Sequence, residues 1–224
     1  MLLDTLLAVR RRSEALIAPL EPEDLMLQGM PDASPPKWHL GHTTWFFDTF
    51  VLQPHAPGHK ACDPLWSYQF NSYYEAVGAR HPRPQRGLLS RPAIAEVLAW
   101  RQRVDAGLEA LLQDPPEGVT ALVELGLQHE QQHQELLLMD LLDGFHRQPL
   151  EPIYNPEAEL SLPMAPVKWL TCPGGLTEIG HQGDKFHFDN ETPQHRVWLE
   201  PFELSNSLVS NAAYAAFIAD GGYQ

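Results

Sequence analysis

The stretch Leu127-Gln128-His129-Glu130-Gln131-Gln132-His133-Gln134-Glu135, running on into Leu136-Leu137-Leu138-Met139, constrains this chain more than any other. It holds neither Gly nor Pro and is rich in Leu, Gln and Glu, so it reads as helix. His129 and His133 are four apart, which puts both imidazoles on one helical face. Two imidazoles at that spacing hold one divalent cation if a further ligand arrives from elsewhere in the fold. The plainer alternative is a pair of surface histidines on an amphipathic helix. Leu125, Leu127, Leu136 and Leu137 around the pair weigh against it.

Composition narrows the classes. At 224 residues the chain accommodates one large domain or two small ones, and 43% apolar content is enough for a core. No 18-residue apolar run and no basic, apolar leader is present, so neither membrane insertion nor export is expected. A formal charge of -14 repels phosphates and argues against nucleic-acid binding. Cys62 and Cys172 are isolated and distant, which fits a reducing cytoplasm better than a disulfide framework.

In chain order, residues 1 to 18 alternate Leu2, Leu3, Leu6, Leu7, Val9, Leu16 and Ile17 with polar positions, an amphipathic helix stopped near Pro19. Its run Arg10-Arg11-Arg12 is expected to be a solvated face. Ser34-Pro35-Pro36 reads as a helix start with Ser34 as cap, opening a second helix from Lys37 to about Leu52. That helix is aromatic and carries His39 and His42, either of which also suits a core histidine bonded to a backbone carbonyl. Residues 53 to 90 read as a long irregular segment with Trp66, Phe70, Tyr73, Tyr74, Arg80, Arg83 and Arg86, a length usually associated with function. Ser90 is expected to cap a third helix over Arg91 to Gln113, and the fourth runs from about Thr120 to Leu142, ending at Gly144. Four amphipathic helices with one long crossover make an up-down bundle whose interior suits a metal site. His42 is then the natural third ligand, with His39 in reserve.

After Pro149 the pattern changes. Val167 to Leu170, Leu176 to Ile179 and Val197 to Leu204 alternate like short strands, separated by Gly174-Gly175, Gly183-Asp184 and Asp189-Asn190, and residues 209 to 219 read as a short helix. The expected organisation is a bundle over 1–148, a linker over 149–166 and a second, α+β unit over 167–224. That last unit is too small for a good core of its own and is expected to be cut short.

His129-Glu130-x-x-His133 also fits the His-Glu-x-x-His of zinc peptidases, in which the Glu is the general base. No later His-x-x-Gly-x-x-His follows, and Glu130 reads equally as a solvated carboxylate or one that orients a histidine. Three imidazoles with open positions serve zinc hydrolysis and iron-dependent oxygen chemistry alike. A noncatalytic helical module with structural histidines is the third alternative.

Four motifs carry a resemblance. Ser34-Pro35-Pro36-Lys37-Trp38-His39-Leu40-Gly41-His42-Thr43-Thr44-Trp45-Phe46 resembles the first metal-ligand helix of the ergothioneine-biosynthesis sulfoxide synthases, the EgtB family. Phe70-Asn71-Ser72-Tyr73-Tyr74-Glu75-Ala76-Val77-Gly78 resembles its aromatic loop, and His129 to Leu136 its second ligand helix. Phe188-Asp189-Asn190-Glu191-x-Pro193-x-His195 and Asp220-Gly221-Gly222-Tyr223 resemble the opening of its C-terminal domain. The resemblance implies an α+β chain, a DinB-like four-helix bundle followed by a truncated C-type-lectin-like, sulfatase-modifying-factor-like domain. It implies an iron(II)- and dioxygen-dependent enzyme that joins a thiol sulfur, from cysteine or a cysteine-containing thiol, to C2 of the hercynine imidazole as a sulfoxide. Position by position, His42, His129 and His133 match the iron ligands, and Gln132 a glutamine that contacts the hercynine imidazole. Tyr73 and Tyr74 match tyrosines of the cysteine-using branch, where a phenol near iron delivers a proton or hydrogen atom. Arg83 and Arg86 are candidate clamps for the cysteine carboxylate, since a guanidinium holds a carboxylate bidentately.

The chain departs from the pattern at Leu208-Val209-Ser210-Asn211, where a Pro-Val-Thr-Asn-like turn is expected, and at Cys172 before Pro173-Gly174-Gly175. The later part of the second domain, which in the family contacts the trimethylammonium and carboxylate of hercynine, is expected to be missing. A selenoneine synthase, taking a selenosugar in place of the thiol, and a zinc-dependent DinB-like hydrolase or thiol transferase are the alternative activities.

Overall fold

A computed structural model describes residues 2–72, 74–157 and 166–224, and of residue 75 the backbone alone. The chain forms two units, residues 1–158 and 159–224. The division falls inside the stretch 149–166. Residues before it still pack on the helices, because the Tyr154 hydroxyl donates to the Leu16 carbonyl (2.8 Å).

The first unit is helical. α1 (Leu2–Ile17) turns Leu6, Val9, Leu16 and Ile17 inward. α2 (Pro36–Phe46) starts on a proline, whose missing N–H is no loss in a first turn. Ser34 does not cap it. Its N–H donates to Asp140 Oδ2 (2.8 Å) and its hydroxyl accepts from Arg86 Nη1 (2.8 Å), so tertiary partners take both groups. All 11 residues of α2 are buried, which makes it the central helix and forces each of its polar side chains to find a partner. The expected continuation to Leu52 widens into a π-helical stretch, Phe47–Leu52, and closes with α3 (Gln53–His55). Within the stretch the buried Asp48 carboxylate accepts from Trp100 Nε1 (2.7 Å), His59 Nε2 (3.0 Å) and Gln53 Nε2 (3.0 Å).

Residues 53 to 90 are less irregular than expected. Asp63 caps α4 (Pro64–Phe70) by accepting the Leu65 N–H (2.7 Å), and 3₁₀ turns form at Glu75–Val77 and Arg83–Leu88. Seven residues are too few for a helical period to stand out in the sequence. α5 (Ile94–Leu111) begins beyond Ser90, with the Glu96 carboxylate accepting the Ala93 N–H (2.7 Å) in the first turn. α6 (Val119–Arg147) runs straight through Gly144. That glycine is a contact point and not a stop, since a Cβ there would lie 2.6 Å from Leu27 Cδ2.

α1, α2, α5 and α6 pack around Leu6, Trp45, Phe47, Val97, Val104, Leu108, Val123 and Leu127. Each such apolar side chain contributes roughly 1.5–3 kcal/mol on full burial. Two glycines set close approaches. The Phe70 ring lies where Gly41 would carry a side chain, and the Phe47 ring does the same at Gly126. The first brings α4 against α2 beside His42; the second brings α6 against the start of the π-helical stretch, one turn before His129.

In the second unit β1 (Trp169–Cys172) pairs antiparallel with β4 (Phe202–Ser205), and β2 (Gly175–Ile179) with β3 (His195–Leu199). The single strand expected over Val197 to Leu204 is two strands, because Pro201 lacks the N–H a ladder needs. α7 (Asn211–Ala219) is capped by Ser210, whose hydroxyl accepts the Ala213 N–H (3.1 Å). No described residue of this unit is buried. Cys62 and Cys172 are both free thiols, and among the described residues no helix is long and apolar enough to cross a membrane.

Candidate metal centre

α2 and α6 cross so that His42, His129 and His133 converge, each offering a ring nitrogen within 4.8 Å of the other two. His129 and His133 owe this to their spacing on α6, with ring centroids 4.6 Å apart. His42 arrives from a segment nearly ninety positions earlier. Its Nδ1–H donates to the Phe70 carbonyl (2.6 Å), which leaves Nε2 as a bare lone pair, 3.1 Å from His129 Nε2. Two nitrogens each about 2.1 Å from one ion, at 90–110°, would stand roughly 3.0–3.4 Å apart. The donor set therefore fits a divalent cation. His42 is at once the carbonyl-bonded core histidine and the ligand candidate, with one nitrogen for each role. Trp38 stacks on its ring at 4.6 Å and Trp45 at 5.7 Å.

Electrostatics keep these rings neutral. Burial, reinforced by the neighbouring imidazoles, holds His42 and His133 well below the usual histidine range, and burial brings His129 to about 4. Neutral imidazole is the form that binds a metal. His129 Nδ1 is buried without a hydrogen-bond partner among the described residues.

His39 does not join the cluster. Its Nδ1 lies 2.9 Å from His133 Nδ1 and its Nε2 lies 3.2 Å from Asp140 Oδ2.

Glu130 is not a general base, and the peptidase reading fails on this point. It is fully buried; Oε2 accepts from Arg10 Nη1 (2.9 Å), and Oε1 accepts from Ser13 Oγ (2.5 Å) and from Arg101 Nη2. Burial alone would raise its pKa, but Arg10 and Arg101 outweigh that and hold it at about 2. Nor is it solvated or bonded to a histidine. Arg10, expected on a solvated face, is 1% exposed and also donates to Asp105 Oδ1 (2.6 Å).

The histidines open on a cavity of about 420 Å³, a size that accepts small organic molecules. Tyr74, Gln132, Arg83 and Arg86 line it, so the structure brings four further sequence candidates to the three rings. Tyr74 packs against Trp45, Phe46 and Phe50, and burial raises the pKa of its phenol. Arg86 is buried with its guanidinium 3.4 Å from the Trp38 ring centroid, and donates to Ser34 Oγ (2.8 Å) and Ser72 Oγ (3.4 Å). Tyr73 lies outside the described residues. Sequence reasoning missed Asp140, Ser72, Arg101 and the Phe70 carbonyl. The one available signal was Asp140, two helical turns beyond His133 on the same face.

The bundle and its histidine cluster define a helical protein whose three converging imidazoles could hold a metal ion. Residues 5–137 match the DinB superfamily, more than half of the chain, and the chain belongs to that superfamily. Residues 161–224 match the sulfatase-modifying factor enzyme 1-like domain. The chain is 28% identical over 235 residues to a hercynine oxygenase of Mycolicibacterium smegmatis, covering 99% of this chain and 51% of the relative. It is 27% identical over 230 residues to the hercynine oxygenase of Mycolicibacterium thermoresistibile, covering 98% and 48%. Over 52 residues it is 40% identical to a formylglycine-generating enzyme of Streptomyces coelicolor, covering 23% of this chain and 17% of the relative. The chain thus spans about half the length of the hercynine oxygenases it matches.

Proposed function

We propose that this chain carries the metal centre of a nonheme iron(II)- and dioxygen-dependent sulfoxide synthase. The reaction would join cysteine, or a thiol containing it, to C2 of the hercynine imidazole in the cytoplasm. The observation that carries this reading is the convergence of His42, His129 and His133 on a cavity also lined by Tyr74, Gln132, Arg83 and Arg86. The likeness of nearly the whole chain to about half the length of hercynine oxygenases supports it.

His42, His129 and His133 would hold the iron, which when bound supplies the site for dioxygen and thiolate. Three protein ligands leave coordination positions open for both. Gln132, the residue just before His133, presents an amide that donates to or accepts from a substrate imidazole. Arg83 and Arg86 make the cavity positive, suited to the cysteine carboxylate. Tyr74, whose phenol stays protonated well past neutral pH, is the proton donor to the reacting oxygen, with Tyr73 as its neighbour in that role. The balance is closed: the imidazole C–H and the thiol S–H are lost, one oxygen atom ends on sulfur, and the other leaves as water.

The test is mass spectrometry of products formed from hercynine, cysteine, iron(II) and air. The expected product has the mass of hercynine plus cysteine plus dioxygen less water. Tightly held zinc with no oxygen uptake would place the chain among the zinc-dependent DinB-like hydrolases or thiol transferases. Tyr74→Phe should keep the iron and lose most of the sulfoxide yield; an unchanged product rate removes the tyrosine from the mechanism.

A further inference from the structure

Beside the ligand set runs a chain of hydrogen bonds that the reaction itself does not use. Asp140 Oδ2 accepts the Ser34 N–H (2.8 Å) and faces His39 Nε2 (3.2 Å), and His39 Nδ1 faces His133 Nδ1 (2.9 Å). Asp140 and His39 are 5% and 3% exposed, so water does not compete for these groups. A carboxylate only accepts, which places the His39 proton on Nε2 and leaves His39 Nδ1 as an acceptor. That acceptor can be satisfied only if His133 carries its own proton on Nδ1. The ring nitrogen of His133 left bare is then Nε2.

We propose that His39 and Asp140 are positioning residues that lock His133 into the tautomer whose Nε2 binds metal. The inference rests on the metal centre proposed above and adds to it the reason that α2 carries two histidines three apart. His42 is turned by the Phe70 carbonyl, and His133 by a carboxylate acting through a second imidazole. Partners of this kind typically change metal affinity 10–100-fold when removed. His133 and Asp140 lie on one face of α6, so a single helix supplies both the ligand and the far end of the chain that orients it.

The experiment uses the full chain labelled with ¹⁵N-histidine and titrated with zinc(II) as a diamagnetic probe, with chelator competition for affinity. In the unsubstituted protein the His133 signals should show metal on Nε2 and a proton on Nδ1. His39→Leu should weaken binding about 10–100-fold, and His39→Gln, whose side-chain carbonyl still accepts from Nδ1–H, should recover most of the loss. Asp140→Asn should fall between the unsubstituted protein and Asp140→Ala. Zinc on His133 Nδ1, or equal affinity for His39→Leu and the unsubstituted protein, overturns the positioning role while leaving the metal centre intact. Absence of zinc-induced shifts at all three ligand histidines overturns both. If His39→Leu does not fold, the tautomer in the unsubstituted protein and the affinity of His39→Gln decide the matter.

Discussion

His129 and Glu130 are consecutive, yet α6 presents them to opposite environments. Glu130 faces a closed system in which Arg10, Arg101, Asp105 and Ser13 satisfy its charge and one another. His129 faces the rings of His42 and His133, each offering a nitrogen within 4.8 Å of the others. One face of the helix closes ion pairs across the bundle; the other gathers three imidazoles that could hold a metal ion. The difference lies in what surrounds each polar group: the carboxylate is held by opposite charges, whereas the imidazoles meet only one another's ring nitrogens on that side. A His-Glu-x-x-His string therefore does not specify a peptidase: the glutamate must face the metal, and here it faces two guanidinium groups.

Substitutions on the two faces should separate cleanly. His133→Ala should abolish iron binding and cost the metal-free chain only about 1–3 kcal/mol, for the His39 acceptor left unmet; full iron occupancy in that variant would strike His133 from the ligand set. Glu130→Ala should do the reverse, costing about 3–5 kcal/mol in denaturant unfolding because Arg10 and Arg101 are left buried without their counter-charge. A loss below about 1 kcal/mol would break the contrast.

Acid should attack both faces, in sequence. His129 is held at about 4 against an ordinary 6.5, so the unfolded chain takes up the proton first and stability falls between those values, by about 3 kcal/mol from His129, with His42 and His133 adding to the fall. Glu130 is held at about 2 against 4.5, so its contribution is present above 4.5 and is lost as the pH falls towards 2. A pH series of thermal melts on metal-free protein should show the two phases; flat stability from pH 7 to 4 would contradict the neutral histidine cluster. The smallest effect is expected from Gly41→Ala. The added methyl meets the Phe70 ring, costing about 1–3 kcal/mol, and displaces the carbonyl that orients His42. Weaker zinc binding should therefore accompany the lost stability, and undiminished affinity would separate Phe70 from the metal site.

The two units differ as well. The helical unit encloses Trp45, Phe47, Val104 and Leu108 completely. In the strand unit Trp169, Trp198 and Leu204 stay more than half exposed, as expected for so short a piece of sheet. Its strands were legible from alternation and turn residues, apart from the break at Pro201. The main helices were legible from their periods. Their ends were less so: Ser34, Ser90 and Gly144 all carry terminus signals, and in each case tertiary packing or a neighbouring residue overrode a preference worth about 1 kcal/mol or less.

By itself the sequence determined the main helices, the shared face of His129 and His133, and the stock of imidazole, phenol and guanidinium groups. Local spacing is enough for these, because a helical turn is a local property. The sequence ranked His42 above His39 as third ligand; only the tertiary structure brought His42 to the pair, turned His39 to Asp140 and turned Glu130 to Arg10 and Arg101. Those choices depend on which side chains meet across α1, α2, α5 and α6. Contacts between residues so distant along the chain leave no periodic trace in it.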